Sequence, residues 1–225
     1  MFAVALIPGV LAVTFFGLLT RDPRTNRVQS MPIREPLPSA FWRLITAVAV
    51  FGAGNFATAF FTLRAVQMLR PELSQAAALS AAVGFYLAHN AVGAAVSFPA
   101  GWLADRIGKV PVLATAYSTF ALACVVGILG HGWLAVALLA LLVGAQYPVV
   151  NSVESSLSSS IVEERRLGTA FGVLNGVNGV GDLVSSVVAG VLWTFVSPAA
   201  AFGFGAVLCA AAASTMALRP PRPAP

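Results

Sequence analysis

The chain has 225 residues, of which 58% are hydrophobic and only 9% charged, and its mean hydropathy is +0.86. A soluble domain carries roughly 25% charged residues, so the composition excludes one and indicates an all-α polytopic membrane protein whose first partner is the lipid bilayer. The net charge of +5 does not indicate nucleic acid, because the arginines fall in short gaps between apolar runs and not in one patch.

In chain order, residues 1–20 are apolar and uncharged and are followed by Arg21, Arg24 and Arg27. This segment has neither the basic n-region nor the cleavage site of a signal peptide and reads as a membrane helix. Residues 21–39 are polar and hold four prolines, the composition of a linker. Six further spans are expected at about 41–66, 76–100, 110–130, 133–158, 168–196 and 199–218, each about 20 residues or more and long enough for a ~30 Å hydrocarbon core. The organisation is therefore a helix at 1–20, a cytoplasmic linker at 21–39, a six-helix body at 40–218 and a basic tail at 219–225. Cys124 and Cys209 both fall inside spans, and the two histidines, His89 and His131, form no ligand-spaced pair. No disulfide framework, metal site or cofactor is expected.

Charge sets the topology. With the linker inside and the spans alternating, 11 of the 13 basic residues are cytoplasmic, and only Arg64 and Arg70 lie toward the outside. The C-terminus is then cytoplasmic, and the expected location is a bacterial inner membrane.

Between Glu72 and Glu154 the only charges are Asp105, Arg106 and Lys109. They sit in Gly101-Trp102-Leu103-Ala104-Asp105-Arg106-Ile107-Gly108-Lys109, which has to reach water or a protein partner. Gly101 and Gly108 are expected to bracket a tight turn, with Asp105 facing or capping the next helix. This stretch resembles motif A of the major facilitator superfamily, departing from it at Val110, where a second basic residue is usual. Glu163-Glu164-Arg165-Arg166-Leu167-Gly168-Thr169-Ala170-Phe171-Gly172 is similar to a second loop of that family, with Leu167 inserted. The resemblance covers essentially the whole chain. It implies seven transmembrane helices: the family's sixth at 1–20, then a complete C-terminal half of two inverted three-helix repeats, the chain being a fragment of a larger transporter.

By the same resemblance Gly101, Asp105, Arg106, Gly108 and Lys109 form a gate whose facing helix belongs to the missing N-terminal half. The function implied is secondary active transport of a small solute, by efflux or uptake through alternating access, with coupling to a proton gradient. The alternatives are an orphan half that does not transport alone and a half-transporter that pairs with a second copy.

Depth identifies the candidate cavity residues. Counted from the cytoplasmic boundary at about 1.5 Å per residue, Asn55 lies ~18 Å deep, Asn90 ~16 Å, Glu154 ~14 Å, Asn178 ~18 Å and Asp182 ~24 Å. Buried ionisable groups cost at least ~2.5–3.5 kcal/mol, so they are expected to face a wet cavity or each other. Asn55, Thr58 and Thr62 share one helical face; Gln146, Asn151 and Glu154 fall along another; Asn175, Asn178 and Asp182 repeat at 3 and 4. Glu154 is a proton or cation candidate, its structural alternative being a pair with an arginine, and Asp182 is a second proton candidate, its alternative being a protonated, inert side chain. Arg64 either snorkels to the outer interface, or binds an anionic group or pairs with Asp182. His89 and Tyr86 are candidate cavity lining. The asparagines read equally as substrate contacts or interhelical hydrogen bonds. The spans at 110–130 and 199–218 carry only hydroxyls, as befits peripheral helices.

Gly179-Val180-Gly181-Asp182 is similar to the G-x-G-D sequence of intramembrane aspartyl proteases and offers an enzyme reading. That chemistry needs a second acid on a facing helix, and Asp22 and Asp105 fall in loops. No enzymatic activity is expected.

Overall fold

The computed structural model describes residues 14–15, 36–218 and 220–221. The chain divides into two units, Met1–Glu35 and Pro36–Pro225. In the first, the described Thr14 and Phe15 are helical. The rest of the expected helix at 1–20, the linker as far as Glu35 and most of the tail lie outside the described residues.

The second unit is helical throughout, with no strand among its described residues. Its helices are α1 (Ser39–Gly54), α2 (Thr58–Leu69), α3 (Gln75–Ile107), α4 (Lys109–Leu129), α5 (Gly132–Ile161), α6 (Leu167–Phe195) and α7 (Pro198–Leu218), with a 3-10 turn at Glu164–Arg166 ahead of α6. They make six elements long and apolar enough to cross a membrane, because α1 and α2 are two halves of one span, Ser39–Leu69. Connections of one to a few residues between successive spans send each back alongside the last.

Packing reveals an internal repeat. The third and sixth spans, α4 and α7, pack most extensively on each other. The second span packs on the fourth as the fifth packs on the first, and the third packs on the fourth as the sixth packs on the first. Exchanging spans one to three for four to six leaves this pattern unchanged. With three spans per repeat, alternation of direction inverts the second copy relative to the first.

Glycine marks the closest approaches, and these repeat too. A Cβ on Gly181 of α6 would lie 2.9 Å from Gly52 Cα of α1, and one on Gly93 of α3 would lie 3.3 Å from the Gly144 carbonyl oxygen of α5. Without a hydrophobic drive between helices in lipid, such backbone contact supplies the van der Waals energy of association.

The first span differs from expectation. It is not continuous: Asn55, Phe56 and Ala57 leave the helix. Phe56 is buried among the rings of Phe60, Phe61, Phe120 and Phe202, with centroids 5.4–5.6 Å away, and this aromatic packing is what the break accommodates. Asn55 therefore does not share a regular helical face with Thr58 and Thr62. The fourth span stays helical but carries Pro148, the sixteenth residue after Gly132, just as Asn55 is the sixteenth after Ser39.

The motif turn is also tighter than expected. Helix α3 runs through Gly101 to Ile107, α4 starts at Lys109, and Gly108 alone makes the turn. Its φ of 98° and ψ of 148° belong to a region open essentially to glycine. Gly101 brackets nothing, and Asp105 lies in the last turn of α3 with no capping bond to α4.

Candidate functional site

Glu154 on α5 is 1% exposed. The Tyr117 hydroxyl of α4 donates to its Oε1 at 2.6 Å, and Asn178 Nδ2 of α6 donates to its Oε2 at 2.9 Å. Tyr117 is itself fixed by stacking on Phe51 of α1, centroids 3.9 Å apart and planes 9° from parallel. Three helices from both repeats thus meet at one carboxyl group, and α1 backs it through the Phe51 ring behind Tyr117. Glu154 has no arginine partner among the described residues, which corrects the paired-arginine alternative. Tyr117 is a functional candidate that sequence reasoning missed, and α4 is not a span without a polar role. The available signal was the rule that a buried tyrosine hydroxyl finds a partner.

The expected Gln146, Asn151 and Glu154 face divides into three environments. Gln146 is buried toward α3 and α4, Glu154 toward α4 and α6, while Asn151 is exposed beside α3. Asn151 lines a cleft of about 370 Å³ with His89, Asn90, Ser97 and Tyr147. Asn90 Nδ2 donates to the Tyr86 carbonyl at 2.7 Å and lies 3.3 Å from His89 Nε2, and Asn151 Nδ2 donates to the Tyr147 carbonyl at 3.0 Å. Tyr86 stands edge-on to His89, ring centroids 5.3 Å apart. These residues form a polar, aromatic surface between α3 and α5, separate from Glu154. Tyr147, not singled out from the sequence, joins it.

At the helix break the freed backbone is served by α6. Ser185 Oγ donates to the Asn55 carbonyl at 3.1 Å, and Ser186 Oγ accepts from the Ala57 N–H at 3.3 Å. Asp182 is exposed one turn before this pair, and no described residue bonds its carboxylate. Arg64 does not pair with it. Arg64 Nε donates to the Gly127 carbonyl at 2.7 Å and Nη1 to Gln67 Oε1 at 3.3 Å, tying α2 to the end of α4.

At the other end Lys109 Nζ donates to the Ser156 carbonyl of α5 at 2.8 Å, and the Arg106 guanidinium lies 4.0 Å from the Trp102 ring centroid. Asp105 is exposed. Arg166 reaches the Pro36 carbonyl at 3.0 Å, joining the start of α6 to the start of α1. These bonds place the Gly101–Lys109 motif and the Glu163–Arg166 turn at the same end of the bundle.

The six apolar spans form two related triplets with a G-x-x-x-D-R-x-G sequence at the turn between the second and third, and the family model described as Major Facilitator Superfamily matches residues 68–225. The chain belongs to the Major Facilitator Superfamily. An uncharacterised MFS-type transporter of Methanocaldococcus jannaschii is 28% identical over 211 residues, covering 91% of this chain and 52% of the relative, so the chain spans about half that relative's length. Among solved structures, a POT family transporter, PepTSo, superposes with a TM-score of 0.68 at 16% identity, covering 85% of this chain and 40% of that one. An auto-inhibited POT family peptide transporter gives 0.62 at 19% identity, with 80% and 37% covered. At these identities the structures establish the superfamily fold alone. Superfamily membership makes this a multi-pass membrane protein of a transporter family and not an enzyme, so the protease reading of Gly179–Asp182 falls away.

Proposed function

We propose that this chain is the C-terminal half of a secondary transporter that moves a small solute, by efflux or uptake, through alternating access. Glu154 is its proton-responsive group. The observation that carries this reading is the Glu154 carboxyl, sealed from solvent yet bonded by Tyr117 and Asn178 from different repeats. A carboxylate accepts from both partners, whereas a protonated carboxyl has one oxygen converted to a donor and satisfies them less well. Binding a proton therefore alters how α6 is held against α4 and α5, which links a titration to helix packing.

The partner half is expected to cover α3 and α6, whose apolar windows are only 11% and 17% buried here. Their exposed faces carry Asn90, Asn175 and Asp182, which fit a wet central pathway. A second copy of the chain is the other occupant these faces admit. Asp105 and Arg106 then act as gate residues toward that partner, on the cytoplasmic side with the C-terminus, while Lys109 stays anchored to α5. No cofactor beyond the proton gradient is required.

The test is reconstitution of the chain with its partner half in liposomes enclosing a pH-sensitive dye. A panel of small solutes should include one that drives proton movement, and Glu154→Gln should uncouple the two. Solute-driven proton flux that persists in Glu154→Gln would remove Glu154 from this role, and no solute flux with the partner present would remove the transport reading.

A further inference from the structure

We propose that a crevice between α3, α4 and α5 binds a lipophilic small molecule carrying a carbonyl-type hydrogen-bond acceptor, which the Gln146 amide recognises. The crevice measures about 240 Å³ and lies apart from both Glu154 and the His89–Asn151 cleft. Its walls are apolar side chains such as Pro99, Leu103 and Ile107 of α3 and Val112 and Ala116 of α4. The polar side chains in the lining are Thr115, Thr119 and Gln146. Both threonine hydroxyls donate at 2.9 Å to carbonyls of their own helix, of Pro111 and Thr115. Gln146 is 3% exposed, and its Nε2 has no hydrogen-bond partner among the described residues. An amide donor left unmade in an apolar interior costs about 1–3 kcal/mol, which a ligand acceptor recovers.

The chemistry narrows the occupant. Both threonine hydroxyls commit their protons to their own helix, so the Gln146 amide is the donor that the lining leaves open. An acyl tail has no acceptor. The ester carbonyls of a phospholipid sit at the interface, whereas Gln146 is 15 residues before the end of α5, roughly 22 Å along the helix. A compact apolar molecule with its own carbonyl meets both the walls and the amide.

The probe is benzophenone, a lipophilic ketone that labels neighbouring C–H groups on irradiation, applied to the full chain in lipid nanodiscs with peptide mapping. Labelling should concentrate in residues 96–107 and 112–119. Diphenylmethane, which has the same rings without the carbonyl, should compete about tenfold more weakly, as expected for one buried hydrogen bond. Gln146→Leu should lower crevice labelling about tenfold relative to the rest of the lipid-facing surface. Thr115→Phe, at an exposed lining position, should block labelling without touching the amide, and so serves if Gln146→Leu does not fold. Labelling spread evenly over exposed residues such as Leu134 and Phe195 would mean simple partitioning with lipid tails in the crevice, and would overturn the proposal. So would crevice labelling that survives Thr115→Phe, or that ignores both Gln146→Leu and the missing carbonyl of diphenylmethane.

Discussion

At the scale of single residues, the Glu154 cluster exchanges one cost for another. A carboxyl group 1% exposed within a membrane bundle is held by two directed bonds and by a tyrosine locked on a phenylalanine ring. Tyr117→Phe removes a bond to that carboxyl and should lower unfolding stability in detergent by about 1–3 kcal/mol, measured by thermal or denaturant unfolding. Tyr117→Phe and Glu154→Leu each remove the same bond, so the double variant should lose less than the sum of the singles, by about 0.5 kcal/mol or more. Strict additivity would mean the 2.6 Å bond contributes nothing. Glu154 was legible from sequence as a deep acid. Tyr117 and Asn178 as its partners were not, because hydrogen-bond partners 37 and 24 residues away are chosen by helix rotation, which spacing along one helix does not reveal.

At the scale of elements, two backbone features carry predictions. Gly108 makes a one-residue turn in a conformation that a side chain rarely adopts, so Gly108→Val should destabilise by about 1–3 kcal/mol through strain alone, again read by unfolding. The break at Asn55–Ala57 relies on Ser185 and Ser186 for bonds that the helix no longer provides. A Ser185→Ala, Ser186→Ala double variant should exchange its amide hydrogens around Phe56–Ala59 at least several-fold faster by mass spectrometry, with α4 unchanged. Unaltered exchange at the break would show that aromatic packing of Phe56 suffices to hold it. The sequence placed the first span correctly but could not show its interruption. Gly52 and Gly54 just ahead of Asn55 permit a break without locating it, and its place follows from where Phe56 finds a pocket among Phe61, Phe120 and Phe202.

At the scale of the molecule, the two triplets fold into one body whose second and fifth spans are the least covered. Cys124 and Cys209 are buried, so single cysteines introduced at exposed positions report topology cleanly. Asp105→Cys should label with an impermeant maleimide from the cytoplasmic side and Arg70→Cys from the opposite side; labelling of both from one face would overturn the alternation of spans. The same purified chain, weighed by native mass spectrometry, should be monomeric if a different half covers α3 and α6, and dimeric if a second copy does.

What the sequence by itself determined was whatever lipid imposes locally. Hydrocarbon tolerates few charges, so composition and run length marked the six spans of the described unit, and the cationic gaps marked their ends. The motif at Gly101–Lys109 was legible because charges between apolar runs have nowhere else to go. Tertiary structure alone decided which polar groups meet. It turned α5 so that Glu154 faces Tyr117 and Asn178, left Gln146 facing an apolar crevice, separated Arg64 from Asp182 and opened the first span around Phe56. The physical reason is that in lipid the apolar surface has little preference among neighbours. Close backbone approach at Gly52–Gly181 and Gly93–Gly144 fixes how α1 meets α6 and α3 meets α5, and the polar contacts of those helices follow from it.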